Sequence, residues 1–442
     1  MNEKIKPIAA FKQIALFPEY GVKSKVLTNG TANKLSNNDK NFHDWYRFVL
    51  SFPPHLVREY IERFGLSDGA TILDPFCGTG TTVVEGKLCG INSIGIEANP
   101  IAHFASSVKV DWDVDPYKLM KHADKIAEQA TKALASHHNQ HLRTLPSEAM
   151  SLLIKNSISP LPLHKALILI DALKSQANSN FHRYEMLALA KSLVFSISNL
   201  HFGPEVGVRR QKKLDAPVVE SWLSEVATMA SDLSTSPRRN AHAVIHHADS
   251  RQINTILRSE SIDAVFTSPP YPNEKDYTRT TRLESVMLGF INSKAELRTL
   301  KKGLLRSNTR NVYKGDNDDA WIRDHKEIQS IAAEIEKRRV ALGKTSGFEK
   351  LYSKVTKLYF GGIARHLADL RPFLRPGAYL GYVVGDQASY LRVMIRTGQL
   401  IADIAQSLGY RLLSIDLFRT RLATATREQM REEVIVLQWP GK

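Results

Sequence analysis

The stretch Ala70-Thr-Ile-Leu-Asp-Pro-Phe-Cys-Gly-Thr-Gly-Thr-Thr-Val-Val-Glu-Gly-Lys-Leu88 decides the fold class of this 442-residue chain. Its short apolar run Ala70–Leu73 predicts a buried parallel strand, and a glycine-rich turn then leads into a predicted helix. A second strand follows at Asn92–Ile96 and ends in an acid, Glu97. Two strands joined by one helix predict a right-handed crossover unit.

Strands alternating with helices recur further along the chain. This alternation predicts an α/β fold built on a doubly wound, mostly parallel sheet. The later predicted strands are Ala243–His246, Ile262–Phe266, Ala378–Val384, Arg411–Ile415 and Glu433–Gln438.

Two long, largely helical insertions interrupt the alternation, and a polar arm precedes it. We therefore divide the chain into an arm, a sheet domain in three pieces and two insertions. These are residues 1–41 (a flexible arm); 42–111, 240–282 and 350–442 (the sheet domain); 112–239 (the first insertion); and 283–349 (the second, strongly charged insertion).

The amino-acid composition limits the classes of function that this chain can have. Lysine and arginine total 60 against 45 acidic residues, so the formal charge of +15 favours a polyanionic partner. Cys77 and Cys89 are the only cysteines, which excludes a disulfide scaffold and a multi-cysteine zinc site. We find no apolar run of membrane-spanning length and no signal peptide, and we expect a cytoplasmic protein.

The turn Asp74–Gly80 and the acid Glu97 indicate a nucleotide-like cofactor. Glycines let the backbone approach a ligand, and an acid at a strand tip can accept hydrogen bonds from ribose hydroxyls. The fold alone permits NAD. However, the turn lacks the full G-x-G-x-x-G spacing, and Asp74 would repel a pyrophosphate while suiting an amino group. A ligand with an amine and no phosphates fits better, and S-adenosylmethionine is such a ligand.

The segment Thr267-Ser268-Pro269-Pro270-Tyr271 follows a later predicted strand. With it, the chain resembles the S-adenosylmethionine-dependent amino-methyltransferases of DNA, whose motif is Ser, Asp or Asn before Pro-Pro and an aromatic residue. The turn that begins at Asp74 resembles the cofactor motif of this family, and Phe52-Pro-Pro54 resembles its additional cofactor segment. The resemblance covers residues 42–110 and 240–440 and implies a Rossmann-like sheet with a reversed last strand.

The resemblance also implies site residues. Phe52, Phe76, Gly78 and Gly80 would line the cofactor, Asp74 would face its amino group, Glu97 would hold the ribose, and Asp249 would cap the adenine amine. Ser268, Pro269, Pro270 and Tyr271 would form the catalytic loop, and no metal is implied.

The chemistry explains why a catalytic loop needs these residue types. The exocyclic amine of a base is a poor nucleophile, because its lone pair is delocalised into the ring. Hydrogen bonds from the amine to the Ser268 hydroxyl and the Pro269 carbonyl would help it become tetrahedral, and the prolines would hold that carbonyl rigidly. Tyr271 would stack on a base flipped out of the duplex.

The target base stays open at this point. Serine in the first position of the loop favours cytosine N4, and adenine N6 is the alternative. An RNA amino-methyltransferase would share the chemistry, although we find no separate RNA-binding module. A DNA-binding protein with a vestigial cofactor pocket is the rival from another class.

Several segments are candidates for contact with double-stranded DNA. The first insertion, with its basic cluster Arg209–Lys213, is the main candidate for target recognition, and the second insertion is the alternative. Lys275, Arg279 and Arg282 could hold phosphates or form a solvated loop, and Gly385-Asp386-Gln387 could touch the base or cap a helix. The cluster His137-His138-x-x-His141 is predicted to be a solvated surface segment and not a metal site.

The family also implies a biological setting. Its members serve restriction–modification and related defence systems. We find no nuclease motif in this sequence, so we expect cleavage to belong to a separate nuclease.

Overall fold

The computed structural model describes residues 35–48, 51–136, 141–202, 205–235, 240–422 and 429–441. The helices are α1 (Pro54–Arg63), α2 (Thr81–Cys89), α3 (Pro100–Lys109), α4 (Pro116–Ser136), α5 (Ser147–Leu152), α6 (Pro160–Lys174), α7 (His182–Ser192), α8 (Val218–Thr235), α9 (Tyr277–Thr280), α10 (Arg282–Met287), α11 (Lys294–Lys302), α12 (Lys326–Ala341), α13 (Tyr352–Leu370) and α14 (Thr397–Ser407). The strands are β1 (Thr71–Asp74), β2 (Asn92–Glu97), β3 (Leu200–Phe202), β4 (Val206–Val208), β5 (Ala243–His247), β6 (Ile262–Thr267), β7 (Leu374–Gly385), β8 (Arg411–Leu422) and β9 (Gln429–Gln438).

Seven strands form one sheet in the order β5-β2-β1-β6-β7-β9-β8. The pairs β5–β2, β2–β1, β1–β6 and β6–β7 are parallel, whereas β9 is antiparallel to both β7 and β8. The predicted α/β sheet, doubly wound and mostly parallel with a reversed last strand, is therefore confirmed.

The strand order places a cleft at the carboxyl ends of β1 and β6. The chain runs outward from β1 to β2 and β5, and then returns to β6 on the other side of β1. Ligands bind at such a reversal point in open α/β sheets. The turn after β1 and the loop after β6 meet there.

The last two strands are longer than the sequence predicts. Strand β8 continues beyond the predicted end at Ile415 to Leu422, and β9 begins at Gln429 instead of Glu433. Charged residues obscured these extensions, because their hydrophobic alternation is weak. Arg419 and Glu432 face each other across the hairpin with Nε–Oε2 and Nη2–Oε1 distances of 2.6 and 2.8 Å, which stabilises the register.

The first insertion contains α4 to α8 and, in addition, a two-stranded hairpin of β3 and β4 that the sequence analysis missed. Both strands have only three residues, too few for a recognisable alternation. Side chains from this insertion, such as Leu119 and Trp222, share one buried core with Val83 of α2 and Ile101 of α3. The boundaries at residues 112 and 239 stay a prediction.

The segment before α1 packs against this insertion. The indole Nε1 of Trp45 donates a hydrogen bond to Asp232 of α8 at 2.8 Å, and the backbone N–H of Phe42 donates to the same carboxylate. The ring of Phe42 stacks on Trp112 with centroids 4.6 Å apart. Residues 1–34 of the predicted arm lie outside the described residues.

The second insertion contributes α10, α11 and α12 together with short helical turns, and it packs against α13. Within the part of the chain that the structure describes, no helix is both long enough and apolar enough to cross a membrane.

Candidate active site

The turn between β1 and α2 is shaped by two glycines. Gly78 and Gly80 have φ values of +52° and +90°, which side chains with a Cβ rarely adopt. At Gly80 a Cβ would also lie 3.0 Å from the Cβ of Ser106 in α3. The backbone of the turn can therefore approach a ligand at the start of α2.

Glu97, at the tip of β2, holds this turn in place. Its carboxylate accepts hydrogen bonds from the backbone N–H groups of Gly78 and Asn99, both at 2.7 Å. Burial raises the pKa of Glu97 to about 7, although these two hydrogen bonds oppose the shift. Each carboxylate oxygen keeps a lone pair that can accept a hydrogen bond from a ligand hydroxyl.

Asp74 lies beneath the turn, with only 1% of its surface exposed. One oxygen accepts hydrogen bonds from the Thr267 hydroxyl at 2.5 Å and from the backbone N–H of Phe76 at 3.2 Å. The other oxygen, Oδ2, has no hydrogen-bond partner among the described residues. Burial raises the pKa of Asp74 to about 6. This residue ties the turn after β1 to the end of β6.

Asp249 follows β5 and is held by Arg251. Oδ1 accepts from the Arg251 backbone N–H and from Nε, both at 3.0 Å, and Oδ2 accepts from Nη2 at 2.6 Å. The orientation of the Asp249 carboxylate is therefore fixed by its neighbour.

The loop after β6 carries Ser268 to Tyr271. The Ser268 hydroxyl donates to the Val383 carbonyl of β7 at 3.0 Å, so its own oxygen can still accept a hydrogen bond. Pro269 is buried and Pro270 is half-buried. Burial is the main cause that raises the pKa of Tyr271, so its phenol stays protonated at neutral pH.

A cavity of about 240 Å³ lies between these elements. Nine of the predicted site residues line it: Phe52, Phe76, Gly78, Glu97, Asp249, Ser268, Pro269, Pro270 and Tyr271. The two others, Asp74 and Gly80, are not part of its wall and support the turn from behind.

The aromatic side of the cavity rests on a buried histidine. Phe76 meets His366 of α13 edge to face, with centroids 5.0 Å apart. Burial lowers the pKa of His366 to about 4, so the imidazole is neutral at physiological pH. One ring nitrogen lies 2.9 Å from the Ser250 carbonyl and the other lies 2.8 Å from the Tyr382 hydroxyl. A rigid, uncharged support thus lies under Phe76.

Several residues of the wall were not predicted from the sequence. Asn99 is 4% exposed and its Oδ1 has no hydrogen-bond partner among the described residues, so it is a further acceptor beside the cavity. Its position two residues after Glu97 is a signal that could have been used. Residues of the second insertion also line the cavity, and no short motif indicates them: Lys301, Gly303, Leu304, Leu305, Ser307, Asn308 and Asn311.

The basic residues of the loop after Tyr271 have different surroundings. The guanidinium of Arg282 donates to the carbonyl and the hydroxyl of Thr278, so it stabilises α9. Lys275 lines the cavity. In the second insertion, Lys301 pairs with Asp276 at 2.7 Å and Arg306 with Asp316 at 2.9 Å. These paired cations are poorly placed to bind phosphate.

Asp386 neither lines the cavity nor caps α14. Its buried carboxylate pairs with Arg396 at 2.5 Å and with Arg431 at 3.3 Å, linking the end of β7 to β9. His137 and His138 lie outside the described residues. Among the residues that are described, no three His, Cys, Asp or Glu side chains are arranged to hold a metal ion.

The side chains that line the cavity suit S-adenosylmethionine. Aromatic rings at Phe52 and Phe76 offer an apolar surface, Glu97 and Asp249 are acceptors for hydroxyl and amino groups, and Asn99 has an unpartnered carbonyl oxygen within the described part of the chain. A cavity with carboxyl acceptors and a largely apolar wall also fits a ligand that carries an amine and a sulfonium and no phosphate.

Comparison with known proteins agrees with the motifs. Residues 17–105 match the family model N6_N4_Mtase, described as DNA methylase. The type II methyltransferase M.BsoBI of Geobacillus stearothermophilus is 27% identical over 433 residues, which cover 89% of this chain and 83% of that protein. The type II methyltransferase M.AvaI of Nostoc sp. is 21% identical, covering 92% and 88%.

The solved structure of TrmN from Thermus thermophilus is a more distant match. It is 11% identical, with 87% of this chain and 48% of that chain covered, and its TM-score of 0.25 is too low to bear on the fold. The sequence relatives confirm the resemblance to DNA amino-methyltransferases of the restriction–modification type.

Proposed function

We propose, from this resemblance, that the chain transfers a methyl group from S-adenosylmethionine to the exocyclic amine of a base in double-stranded DNA. The observation that carries the proposal is the cavity between β1 and β6. It brings Ser268 to Tyr271 together with the acids Glu97 and Asp249. When bound, S-adenosylmethionine supplies an electrophilic methyl group.

On the base side, Ser268 and Pro269 accept hydrogen bonds from the amine. The Ser268 hydroxyl proton is directed to the Val383 carbonyl, which leaves its oxygen lone pairs for the amine. Localising the amine lone pair in this way is a form of preorganised electrostatic stabilisation. Tyr271 provides a ring for the base, which must leave the helix to reach the cavity.

On the cofactor side, Glu97 accepts from the ribose and Asp249 from the adenine amine, while Phe52, Phe76 and Gly78 form the wall. Gly80 allows the turn to enter α2. Asp74 supports the turn through Phe76 and Thr267, and its Oδ2, which has no hydrogen-bond partner among the described residues, is the proposed acceptor for the amino group of the cofactor.

We propose cytosine N4 as the target atom, because serine precedes the two prolines. Adenine N6 is the second candidate, since the matching family model carries both in its name. The test is to incubate the full chain with DNA and methyl-labelled S-adenosylmethionine, digest the DNA to nucleosides and identify the labelled one by mass spectrometry.

The outcomes separate the candidates. Labelled N4-methylcytosine supports the proposal, and labelled N6-methyladenine reverses the base assignment. If a parallel incubation labels RNA and the DNA stays unlabelled, the chain is an RNA methyltransferase. If the chain binds DNA and leaves it unlabelled, the enzymatic assignment fails. A Ser268→Ala, Tyr271→Ala double variant is the control for contaminating activity.

The setting we propose is cytoplasmic, with a separate nuclease that cleaves unmodified DNA. For DNA reading, the hairpin of β3 and β4 with the basic loop 209–213 is the candidate in the first insertion. The second insertion borders the cavity through residues 303–311 and is the alternative.

A further inference from the structure

Arg251 is almost fully buried between two carboxylates. It binds Asp249 on one side with three donors, and on the other side its Nη1 donates to Asp318 at 2.5 Å. Only 7% of the Arg251 side chain and 8% of the Asp318 side chain are exposed. Arg365 of α13 also approaches Asp318, at 3.3 Å. This ion-pair network links the cofactor side of the cavity to the second insertion.

Helix α13 packs closely against residues 304–318 of the second insertion, the segment that carries Asp318. A Cβ on Gly361 would lie 2.0 Å from the Asp318 carbonyl oxygen, and a Cβ on Gly362 would lie 2.4 Å from the Leu305 side chain. Glycine in the middle of a helix lowers its stability, so this close packing is the physical reason for two glycines here.

The same segment forms part of the cavity wall. Leu304 and Leu305 line the cavity, and the Leu304 carbonyl accepts from Arg251 Nη2 at 3.3 Å. Between Leu305 and Asp318 the segment contacts the loop after Tyr271, where the Thr309 backbone N–H donates to Glu274 at 2.9 Å. The segment therefore spans the cavity from the cofactor side to the base side.

We infer that Arg251 is a positioning residue: it fixes the Asp249 carboxylate so that this group reads an amino group on the purine ring of the cofactor, and Asp318 in the second insertion holds Arg251 in that position. This inference rests on the proposed function. Arginine is suited to the role because its planar fork fixes both oxygens of a carboxylate, which the single ammonium of lysine cannot do.

The experiment compares two ligands by calorimetry. One is S-adenosylhomocysteine, and the other is its inosine analogue, in which a carbonyl oxygen replaces the amine on the purine ring. For the parent protein we expect the adenine ligand to bind about tenfold or more tightly, the ratio typical of a hydrogen bond to a charged group. Arg251→Lys should bring this ratio close to one, and Asp318→Asn should lower it severalfold.

The matched control is Asp171→Asn, which removes the carboxylate of an exposed ion pair with Arg143, and neither residue is part of the cavity wall. It should leave the ratio at the parental value. Thermal unfolding identifies variants that do not fold. If Arg251→Lys does not fold, Asp318→Asn decides the question.

A purely structural role predicts a different result: both ligands would weaken by the same factor and the ratio would not change. That result overturns the inference, as does a parent protein that binds the two ligands equally. A parent protein that binds neither ligand and does not methylate DNA removes the proposed function itself.

Discussion

The ring of Tyr271 lies against the backbone of Gly385, where a Cβ would be 3.1 Å from the Tyr271 Cε2 atom. The same Cβ would lie 3.2 Å from Cγ of Glu432, which is fixed by Arg419. The end of β7 therefore supports the ring from one side. A ring supported in this way is preorganised for stacking.

We expect Tyr271→Ala to weaken binding of target DNA by about 1–3 kcal/mol, the range for loss of base–aromatic stacking. Tyr271→Phe should keep most of the affinity, because the ring remains. Fluorescence anisotropy with labelled DNA measures both variants, and calorimetry with S-adenosylhomocysteine is the control for an intact cofactor site. Equal losses in the alanine and phenylalanine variants would contradict stacking.

Removal of the Glu97 carboxylate should weaken the binding of the cofactor. We expect Glu97→Ala to reduce the affinity for S-adenosylmethionine by about 1–3 kcal/mol, since it removes an acceptor from the ligand and from the N–H groups of Gly78 and Asn99. Calorimetry provides the measurement. Glu128→Gln, on the exposed face of α4, is the matched control. Parental affinity in the alanine variant would show that the ribose site lies elsewhere.

The close approach of α13 to the second insertion can be tested through stability. Gly361→Ala should lower the free energy of unfolding by about 1–3 kcal/mol or more, because its Cβ would overlap the Asp318 carbonyl oxygen. Gly315→Ala is the control, since a Cβ at Gly315 has no heavy atom of the described residues within 4 Å. Urea unfolding gives both values, and a neutral Gly361→Ala would show that the segment packs less tightly.

The burial of Lys109 should make the free energy of unfolding depend on pH. The side chain is 1% exposed and donates to the Thr79 and His43 carbonyls at 2.9 and 3.0 Å. Burial lowers its pKa from 10.5 to about 7. A lowered pKa means that the unfolded state binds the proton more tightly between these values, so this group favours folding as the pH rises from 7 to 10.5.

The slope for one such proton is about 1.4 kcal/mol per pH unit. Lys109→Met removes this dependence. The free energy of unfolding of the parent minus that of the variant should therefore rise between about pH 7 and pH 9, as measured by urea unfolding at each pH. A constant difference would mean that Lys109 stays charged in the folded protein.

The basic loop after β4 should bind DNA phosphates. Arg209 donates to the Leu200 carbonyl and Lys213 to the Ser196 carbonyl, so these two residues support the hairpin. Arg210 is exposed, and Lys212 is half-buried with its Nζ donating to the Arg209 and Arg210 carbonyls. Replacing both by alanine should reduce the slope of log affinity against log salt concentration by about 0.9 for each phosphate that the variant no longer neutralises.

Cofactor affinity should not change in that double variant. A parental salt slope would exclude this loop from the DNA interface. Our next candidates would then be Lys302 and Arg338, because Lys301, Arg306 and Arg339 are engaged in ion pairs.

The parts of the fold that could be predicted are those in which the local sequence pattern agrees with the surroundings of the segment in the folded protein. Strand β1 is short and apolar, and the glycines after it indicate a tight turn, so this turn could be placed from the sequence alone. Glu97 could be placed in the same way, because it directly follows the next predicted strand. The residues at the carboxyl ends of β1, β2, β5 and β6 were predictable for the same reason: parallel strands bring their ends together.

Other parts depend on the pairing of segments distant in the chain. Nothing local in Gly303–Leu305 indicates that it lines a cavity, because its position depends on Asp318 and on the glycines of α13. The burial of Asp74 beneath the turn likewise follows from Thr267, which is 193 residues away. Sequence patterns report periodicity and turns, and they do not report such pairings.

The edge of the sheet at β5 has a consequence for biosynthesis. His242 and Asn92 are hydrogen-bonded although 150 residues separate them, and the first insertion is translated between them. While the ribosome makes that insertion, β2 has no partner on its outer side. The insertion consists mainly of helices, whose local pairings form quickly, whereas long-range strand pairing is slow. During synthesis, the helices of the insertion therefore have time to form while the outer edge of β2 stays unpaired, until β5 emerges and completes the sheet.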